Sequence, residues 1–174
     1  YGLFLKTGYV KNDAEYQKVK NYFNKRMPKF EVSELGFREK LWLNKSYLWY
    51  SFLIQDFKSC YKYSRKWVDL FYDNESMIRL NPVFFLRGYQ YLLEALFFIK
   101  HHQKFQKALK ELEEIIQKPW FPRDENIDSL IFLYVYSNKL NLHFIEGSFE
   151  KGLPLIDNVV GGLKEHSNQI DEHH

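Results

Sequence analysis

The chain has 174 residues, of which 19% are aromatic, and its formal net charge is +3. A chain so rich in aromatic residues and so weakly charged is not intrinsically disordered, and its single cysteine, Cys60, excludes both an internal disulfide and a cysteine-rich zinc site. No apolar run approaches the ~20 residues that span a bilayer, so we predict no membrane span. Because the sequence begins at Tyr1 and not at methionine, we expect a piece of a longer polypeptide.

Prolines divide the chain into segments in which apolar residues recur every three or four positions. Pro28, Pro82, Pro119 and Pro122 fall between these segments, and a proline inside a helix costs about 3 kcal/mol, so they mark helix boundaries. Pro154 lies early in a helical segment and predicts local strain or a late helix start. No segment alternates as a strand does, and the pattern predicts about eight helices. In chain order, the clearest apolar stripes are Tyr16/Val19/Phe23, Phe57/Cys60/Ser64/Trp67, Phe105/Ala108/Leu112/Ile115 and Phe149/Gly152/Ile156/Val159.

These four stripes resemble one another. Each opens with an aromatic residue, has a smaller residue three positions later, and follows a longer apolar segment that would form a partner helix. The opening aromatics lie 41, 48 and 44 residues apart. Self-similarity at this period predicts an array of helix pairs.

At its turns the chain resembles the tetratricopeptide repeat family, whose pattern is a small residue, an aromatic two positions later and another small residue three after that. Residues 147–152 (GSFEKG) and 103–108 (QKFQKA) match best, while 55–60 and 14–19 match more weakly. The resemblance implies an all-α fold, an α-solenoid of antiparallel helix pairs with about four repeats, at residues 1–28, 31–73, 82–118 and 123–163. The repeat is longer than is usual for this family, and HEAT or armadillo-like repeats of about 40–47 residues are the alternative α-solenoid.

No catalytic or cofactor-binding motif stands out, so we expect neither an enzyme nor a cofactor site. The sequence has no glycine-rich phosphate loop, no His-Glu-x-x-His pair and no Gly-x-Ser-x-Gly segment. His101 and His102 are adjacent and point in different directions, so we expect no shared metal ion. Cys60 occupies a position that requires a small residue, which predicts a buried, inert thiol.

In tetratricopeptide arrays the first helix of each pair lines a concave surface, and the resemblance extends this role to three segments of the chain. It implies a groove that binds a protein or peptide, because large aromatic side chains beside polar groups suit such a contact. Packing of Trp42, Trp49 and Phe97 in the core is the alternative, since aromatics at helical spacing usually face inward. The groove candidates are Trp42, Lys45, Trp49, Gln90, Phe97, Tyr134, Ser137 and Asn141.

A basic stripe supports a second function. The first 72 residues contain fourteen Lys or Arg against seven Asp or Glu, and the rest contain eleven against fifteen. Lys58, Lys62, Arg65 and Lys66 recur at helical spacing beside tyrosines, a combination used in single-stranded nucleic acid binding and also found on ordinary solvated helix faces. The sequence therefore predicts a protein-interaction scaffold first, a nucleic-acid-associated helical protein second and an enzyme third. It does not identify the partner, and a single cysteine fits the reducing cytoplasm without proving it.

Overall fold

The chain is all-helical over the residues that the computed structural model describes, 8–27 and 32–165, and no strand occurs there. The predicted all-α fold class is confirmed. No helix in these ranges is both long and apolar enough to cross a membrane. A 3-10 turn lies at Val32–Glu34. The α-helices of the described ranges are α1 (Asp13–Arg26), α2 (Phe37–Leu53), α3 (Phe57–Tyr72), α4 (Ser76–Leu80), α5 (Pro82–Phe98), α6 (His102–Ile116), α7 (Glu125–Glu146) and α8 (Phe149–Glu165).

Most of the prolines mark helix boundaries, as predicted. Pro82 is the first residue of α5, and Pro119 and Pro122 lie between α6 and α7. Pro154 lies inside α8, which begins five residues earlier, so the late start expected there does not occur. Pro28 lies outside the described residues, as do residues 1–7, the start of the first predicted repeat.

Three turns, which join α2 to α3, α5 to α6 and α7 to α8, share one backbone conformation. Each has a residue in the left-handed region two positions before the next helix: Gln55 (φ 58°), Lys100 (φ 53°) and Gly147 (φ 67°). In each turn the N–H of this residue bonds to the carbonyl three residues back, at 3.1, 3.0 and 3.3 Å. The N–H of the next residue bonds to the carbonyl five residues back, at 2.9, 3.0 and 2.9 Å. Both bonds satisfy carbonyls at the end of a helix, so the chain reverses three times in the same way.

When the helices are aligned by their shared turns, the apolar stripes do not align as the sequence predicted. Phe57 and Phe149 are the first residues of their helices, but Phe105 is the fourth residue of α6. Counted from the turns, Phe105 corresponds to Cys60 in α3 and Gly152 in α8, and all three are buried. The sequence alignment matched aromatic with aromatic, whereas the turn backbone and the buried fourth position are what recur in the structure.

Six of the helices form three consecutive pairs, and neighbouring pairs also contact each other. α2 packs on α3, α5 on α6, and α7 on α8; α3 and α7 both contact α5, and α6 contacts α7. At the centre, Trp67 of α3 is 1% exposed, and its indole Nε1 donates a hydrogen bond to the carbonyl of Phe84 at 3.0 Å. Gly88 of α5 permits this approach, because a Cβ there would lie 2.6 Å from Cδ1 of Trp67.

The last helix, α8, is packed on one side only. Gly152 and Gly162 are buried, and at Gly162 the approach is so close that a Cβ would lie 1.9 Å from the ring of Phe132 on α7. The predicted stripe is split, because Phe149 and Ile156 are 58% and 45% exposed while Gly152 packs inward. The contact with α7 therefore includes the two glycines of α8, whereas Phe149 and Ile156 face outward.

Candidate partner-binding face

The first helices of the three described pairs, α2, α5 and α7, are linked by side-chain contacts. The ring of Trp42 on α2 lies 6.2 Å from the ring of Phe84 on α5, measured between centroids. Asn138 of α7 donates a hydrogen bond from Nδ2 to Oε1 of Gln90 on α5, at 2.7 Å. The groove residues predicted from the sequence therefore lie on adjacent helices.

A groove of about 450 Å³ opens between α1 and α2. Its lining is largely aromatic and aliphatic, and the charged side chains that line it are Arg26 and Lys45, with no Asp or Glu among them. A volume of this size is typical of pockets that hold a small ligand or an anchoring side chain. The aromatic members of the lining are Tyr22, Phe23, Trp42, Trp49 and Tyr50.

Ring stacking and a backbone hydrogen bond hold α1 and the segment before it against α2. The ring of Phe23 stacks on that of Tyr50 with centroids 4.2 Å apart, and its edge meets the ring of Tyr47 at 5.3 Å. The N–H of Val10 donates to the carbonyl of Leu53 at 3.0 Å. Stacked and edge-on pairs are the geometries that aromatic rings prefer, so the two walls of the groove are anchored to each other.

Both cations of the groove lie over aromatic rings. Nζ of Lys45 is 4.5 Å from the centroid of the Trp42 ring, and the guanidinium carbon of Arg26 is 4.6 Å from that of Tyr22. Burial and the positive charge of Arg87 lower the pKa of Lys45. Positive charge in an apolar lining without carboxylates favours a ligand that brings a negative group with it.

Three of the eight predicted residues meet in this groove. Trp42 is 48% exposed, while Lys45 and Trp49 are half-buried, and all three line it. Trp49 also packs inward, with its ring centroid 6.1 Å from each of the rings of Phe52 and Tyr91. One part of the Trp49 side chain therefore packs against the core, and another part lines the groove.

The other five predicted residues do not line the groove. Tyr134 is 6% exposed and belongs to the core. Gln90 and Ser137 are engaged within the protein, Gln90 with α7 and Ser137 with a carbonyl of its own helix. Phe97 packs against the core and Asn141 is half-buried. Of the predicted residues, those on α2 therefore share this groove, and those on α5 and α7 lie outside it.

The sequence prediction did not include two sets of residues: two that line the groove from α1, and two polar residues beside Gln90 on α5. Tyr22 and Arg26 of α1 were not predicted, because the apolar stripe of that helix indicated core packing alone. On α5, Arg87 and Glu94 lie three residues before and four after Gln90, on one side of a largely apolar helix. Burial raises the pKa of the Glu94 carboxyl. The helical spacing of Arg87, Gln90 and Glu94 is visible in the sequence and could have indicated that these three polar residues share one side of α5.

One member of the basic stripe of α3, Arg65, lines a cleft of about 240 Å³ between α3, α5 and α6, and the three lysines of the stripe lie outside it. Arg65 pairs with Asp69 of its own helix at 2.7 Å and with an acidic residue of α6 at 3.2 Å. Lys58, Lys62 and Lys66 are exposed. The tyrosine between Lys62 and Lys66 stacks on a tyrosine of α2 with centroids 4.8 Å apart, so this ring packs within the protein. The stripe has the character of a solvated helix face with one internally paired member.

Cys60 is buried, and His102 and His143 each lie within hydrogen-bond distance of another side chain. Cys60 is fully buried, and burial raises the pKa of its thiol to about 12. Nε2 of His102 lies 2.7 Å from Oε1 of Glu146, and this hydrogen bond lowers the pKa of the carboxyl. Nδ1 of His143 lies 3.0 Å from Oγ of Ser148 in the turn after α7. No group of three or more His, Cys, Asp or Glu in the described ranges is arranged to hold a metal ion. These contacts tie the turn between α7 and α8 to α6.

Comparisons with protein-family models, with curated proteins and with solved structures find no match to this chain. Function is therefore inferred from the side chains themselves. In the described part of the chain, the groove between α1 and α2 combines exposed aromatic surface, positive charge and a concave shape.

Proposed function

We propose that the chain is a tetratricopeptide-like helical-repeat scaffold that binds a segment of another protein along α2, α5 and α7. The groove between α1 and α2 would hold an anchoring side chain of that segment. Three hydrogen-bonded turns of one conformation and the contacts of α3, α5 and α6 with the next pair support a repeat architecture. HEAT-like and armadillo-like arrays use the same helix-pair principle, so the binding proposal does not depend on the choice between them.

The observation that carries the proposal is the aromatic groove. Trp42 exposes 48% of its surface beside Lys45, and five aromatic residues contribute to the lining. Aromatic side chains and arginine are enriched among the residues that dominate protein interfaces, because they combine a large apolar area with a few directed polar contacts. A groove of this composition supports binding of a partner segment.

The charge of the groove lining indicates which kind of partner segment would bind there. Arg26 and Lys45 are the charged residues of the groove, and both are positive. A partner segment with an aromatic or large aliphatic anchor beside an Asp or Glu would match both the apolar walls and the cations. Complementary charge raises the association rate and disfavours basic segments, while the anchor supplies most of the affinity.

Selection of displayed random peptides on the purified chain tests this function. We expect enriched sequences with an aromatic or aliphatic anchor next to carboxylates, and calorimetry should then measure binding of a selected peptide. Trp42→Ala should weaken that binding by about 2 kcal/mol, or roughly 30-fold, as loss of an interface hot spot does. Leu80→Ala is the matched control, because Leu80 is 72% exposed on α4 and does not line the groove.

Two results would overturn the proposal. Failure to enrich any peptide, or binding that Trp42→Ala leaves unchanged, would remove the groove as the site. Retention of single-stranded oligonucleotides with a steep salt dependence, abolished by Lys62→Glu/Lys66→Glu and unaffected by Trp42→Ala, would replace it with nucleic acid binding through the basic stripe.

A further inference from the structure

The outer side of α8 exposes a continuous apolar stripe. Phe149, Leu153, Ile156, Val160 and Leu163 are 58%, 59%, 45%, 45% and 37% exposed. They follow one another at intervals of four, three, four and three residues, the spacing that places side chains along one side of a helix. The stripe therefore runs the length of α8.

A second side of α8, about 100° around the helix from the stripe, is also apolar and is already packed. Gly152 and Gly162 are buried and Val159 is half-buried on the side that meets α7. A helix that is apolar on both sides is normally covered on both sides. Within this chain, the second helix of each preceding pair is covered in this way, since α3 contacts α5 and α6 contacts α7.

We propose that the outer stripe of α8 pairs, antiparallel and across a two-fold axis, with the same stripe of a second copy of this chain. In this arrangement Ile156 lies at the axis, Leu153 faces Val160 of the other copy, and Phe149 faces Leu163. The intervals are nearly the same in both directions, so every apolar side chain of one stripe meets one of the other. A two-fold interface of this kind is self-complementary and closed, and twofold dimers are the commonest soluble oligomers.

Charges beside the stripe favour this occupant. Glu150, Asp157 and Lys164 are exposed and lie seven residues apart along one flank of the stripe. When two such helices pair antiparallel, each flank meets its own copy, so Glu150 lies beside Lys164 of the other chain twice per dimer. Asp157 meets its own copy near the axis, which is unfavourable. Two opposite-charge contacts and one like-charge contact are thus a specific signature of the antiparallel pairing.

Sedimentation velocity of the purified full chain over a concentration series tests the pairing. We expect a species of twice the 21.2 kDa mass of one chain. Ile156→Glu should weaken the dimer by at least about a hundredfold, because it places two carboxylates at the centre of the apolar contact. Asn158→Glu is the matched control, since Asn158 is exposed on the far side of the same helix, and it should leave dimerisation unchanged.

The flank supplies a second test that leaves the apolar contact intact. Glu150→Lys alone and Lys164→Glu alone should each weaken the dimer about tenfold, and the double exchange should restore it. Asp157→Asn should tighten it. A parent that is monomeric throughout the series overturns the proposal, as does a dimer that Ile156→Glu does not affect. If circular dichroism shows that Ile156→Glu is unfolded, the charge-exchange variants test the proposal instead. Failure of the double exchange to restore the dimer would then refute the antiparallel arrangement.

Discussion

The contact between Gly88 and Trp67 fixes how closely α3 approaches α5, and Gly88→Ala tests it. Gly88 is buried in the middle of α5. A methyl group at this position would lie 2.6 Å from Cδ1 and 2.8 Å from Nε1 of Trp67. The indole has little freedom to withdraw, because it is 1% exposed and hydrogen-bonded to the carbonyl of Phe84.

Two effects of opposite sign decide the outcome at Gly88. Replacing glycine by alanine inside a helix stabilises it by about 0.5–1 kcal/mol through the lower entropy of the unfolded chain. Overpacking a tight core contact costs about 1–3 kcal/mol. The overlap with Trp67 involves the body of a large, fixed ring, so the cost should exceed the gain and leave a net loss of about 0.5–2 kcal/mol. For a chain of this size that corresponds to a melting temperature lower by roughly 2–6 °C.

Comparison with Gly161→Ala separates the cost of overpacking at Gly88 from the entropic gain of replacing a helical glycine. Gly161 also lies inside a helix, α8, but a Cβ there would have no neighbour within 4 Å. This variant should be more stable than the parent by about 0.5–1 kcal/mol. Urea unfolding followed by circular dichroism gives both values, and their difference is the cost of the contact. Equal stabilisation by Gly88→Ala and Gly161→Ala would show that α3 and α5 do not approach each other as closely as described.

Three further predictions concern buried side chains. Ala108→Leu, at a position 4% exposed on α6, should destabilise the fold by about 1–3 kcal/mol in urea unfolding, and an unchanged midpoint would contradict the packing of α6. Cys60 should resist a thiol reagent at pH about 8 and react only as the chain unfolds, because burial raises its pKa to about 12; rapid labelling of the native protein would refute this. Burial also raises the pKa of Glu94, so its contribution to stability is present below the unfolded value of about 4.3 and is lost as the pH rises through the folded value. The parent should therefore lose stability relative to Glu94→Gln as the pH rises above the unfolded value, and parallel pH profiles of the two proteins would show that the carboxyl is not buried.

The helices were predictable because their boundaries are local. Pro82 begins α5, and Asp124 caps α7 by accepting a hydrogen bond from the N–H of Ile127 at 2.7 Å. The common conformation of the turns was not predictable in the same way. Gly147 signals a left-handed residue, but Gln55 and Lys100 adopt the same conformation without any such preference. In these turns the conformation accompanies two backbone hydrogen bonds to the end of the preceding helix, and backbone hydrogen bonds cannot be read from the types of single residues.

The positions of the candidate site residues were predictable only in part, for a similar reason. Helical spacing correctly grouped Trp42, Lys45 and Trp49 on one side of α2. The same spacing on α7 selected Tyr134, which is buried because α5 and α6 both pack against that helix. Periodicity shows which residues share a side of a helix, and the number of neighbouring helices then decides whether that side is covered.

Trp42, and not Trp49, is the tryptophan to replace in a test of binding, because the two side chains differ in exposure. The ring of Trp49 contacts Phe52 and Tyr91 while its remaining surface lines the groove, so truncation would remove core packing and binding surface together. Loss of a core tryptophan costs about 3–5 kcal/mol, which is enough to unfold a marginally stable domain. Trp42 contributes to the same groove from a position that is 48% exposed, so its truncation removes mainly the surface offered to a partner. A loss of binding in Trp42→Ala without a change in melting temperature would therefore report on the groove itself.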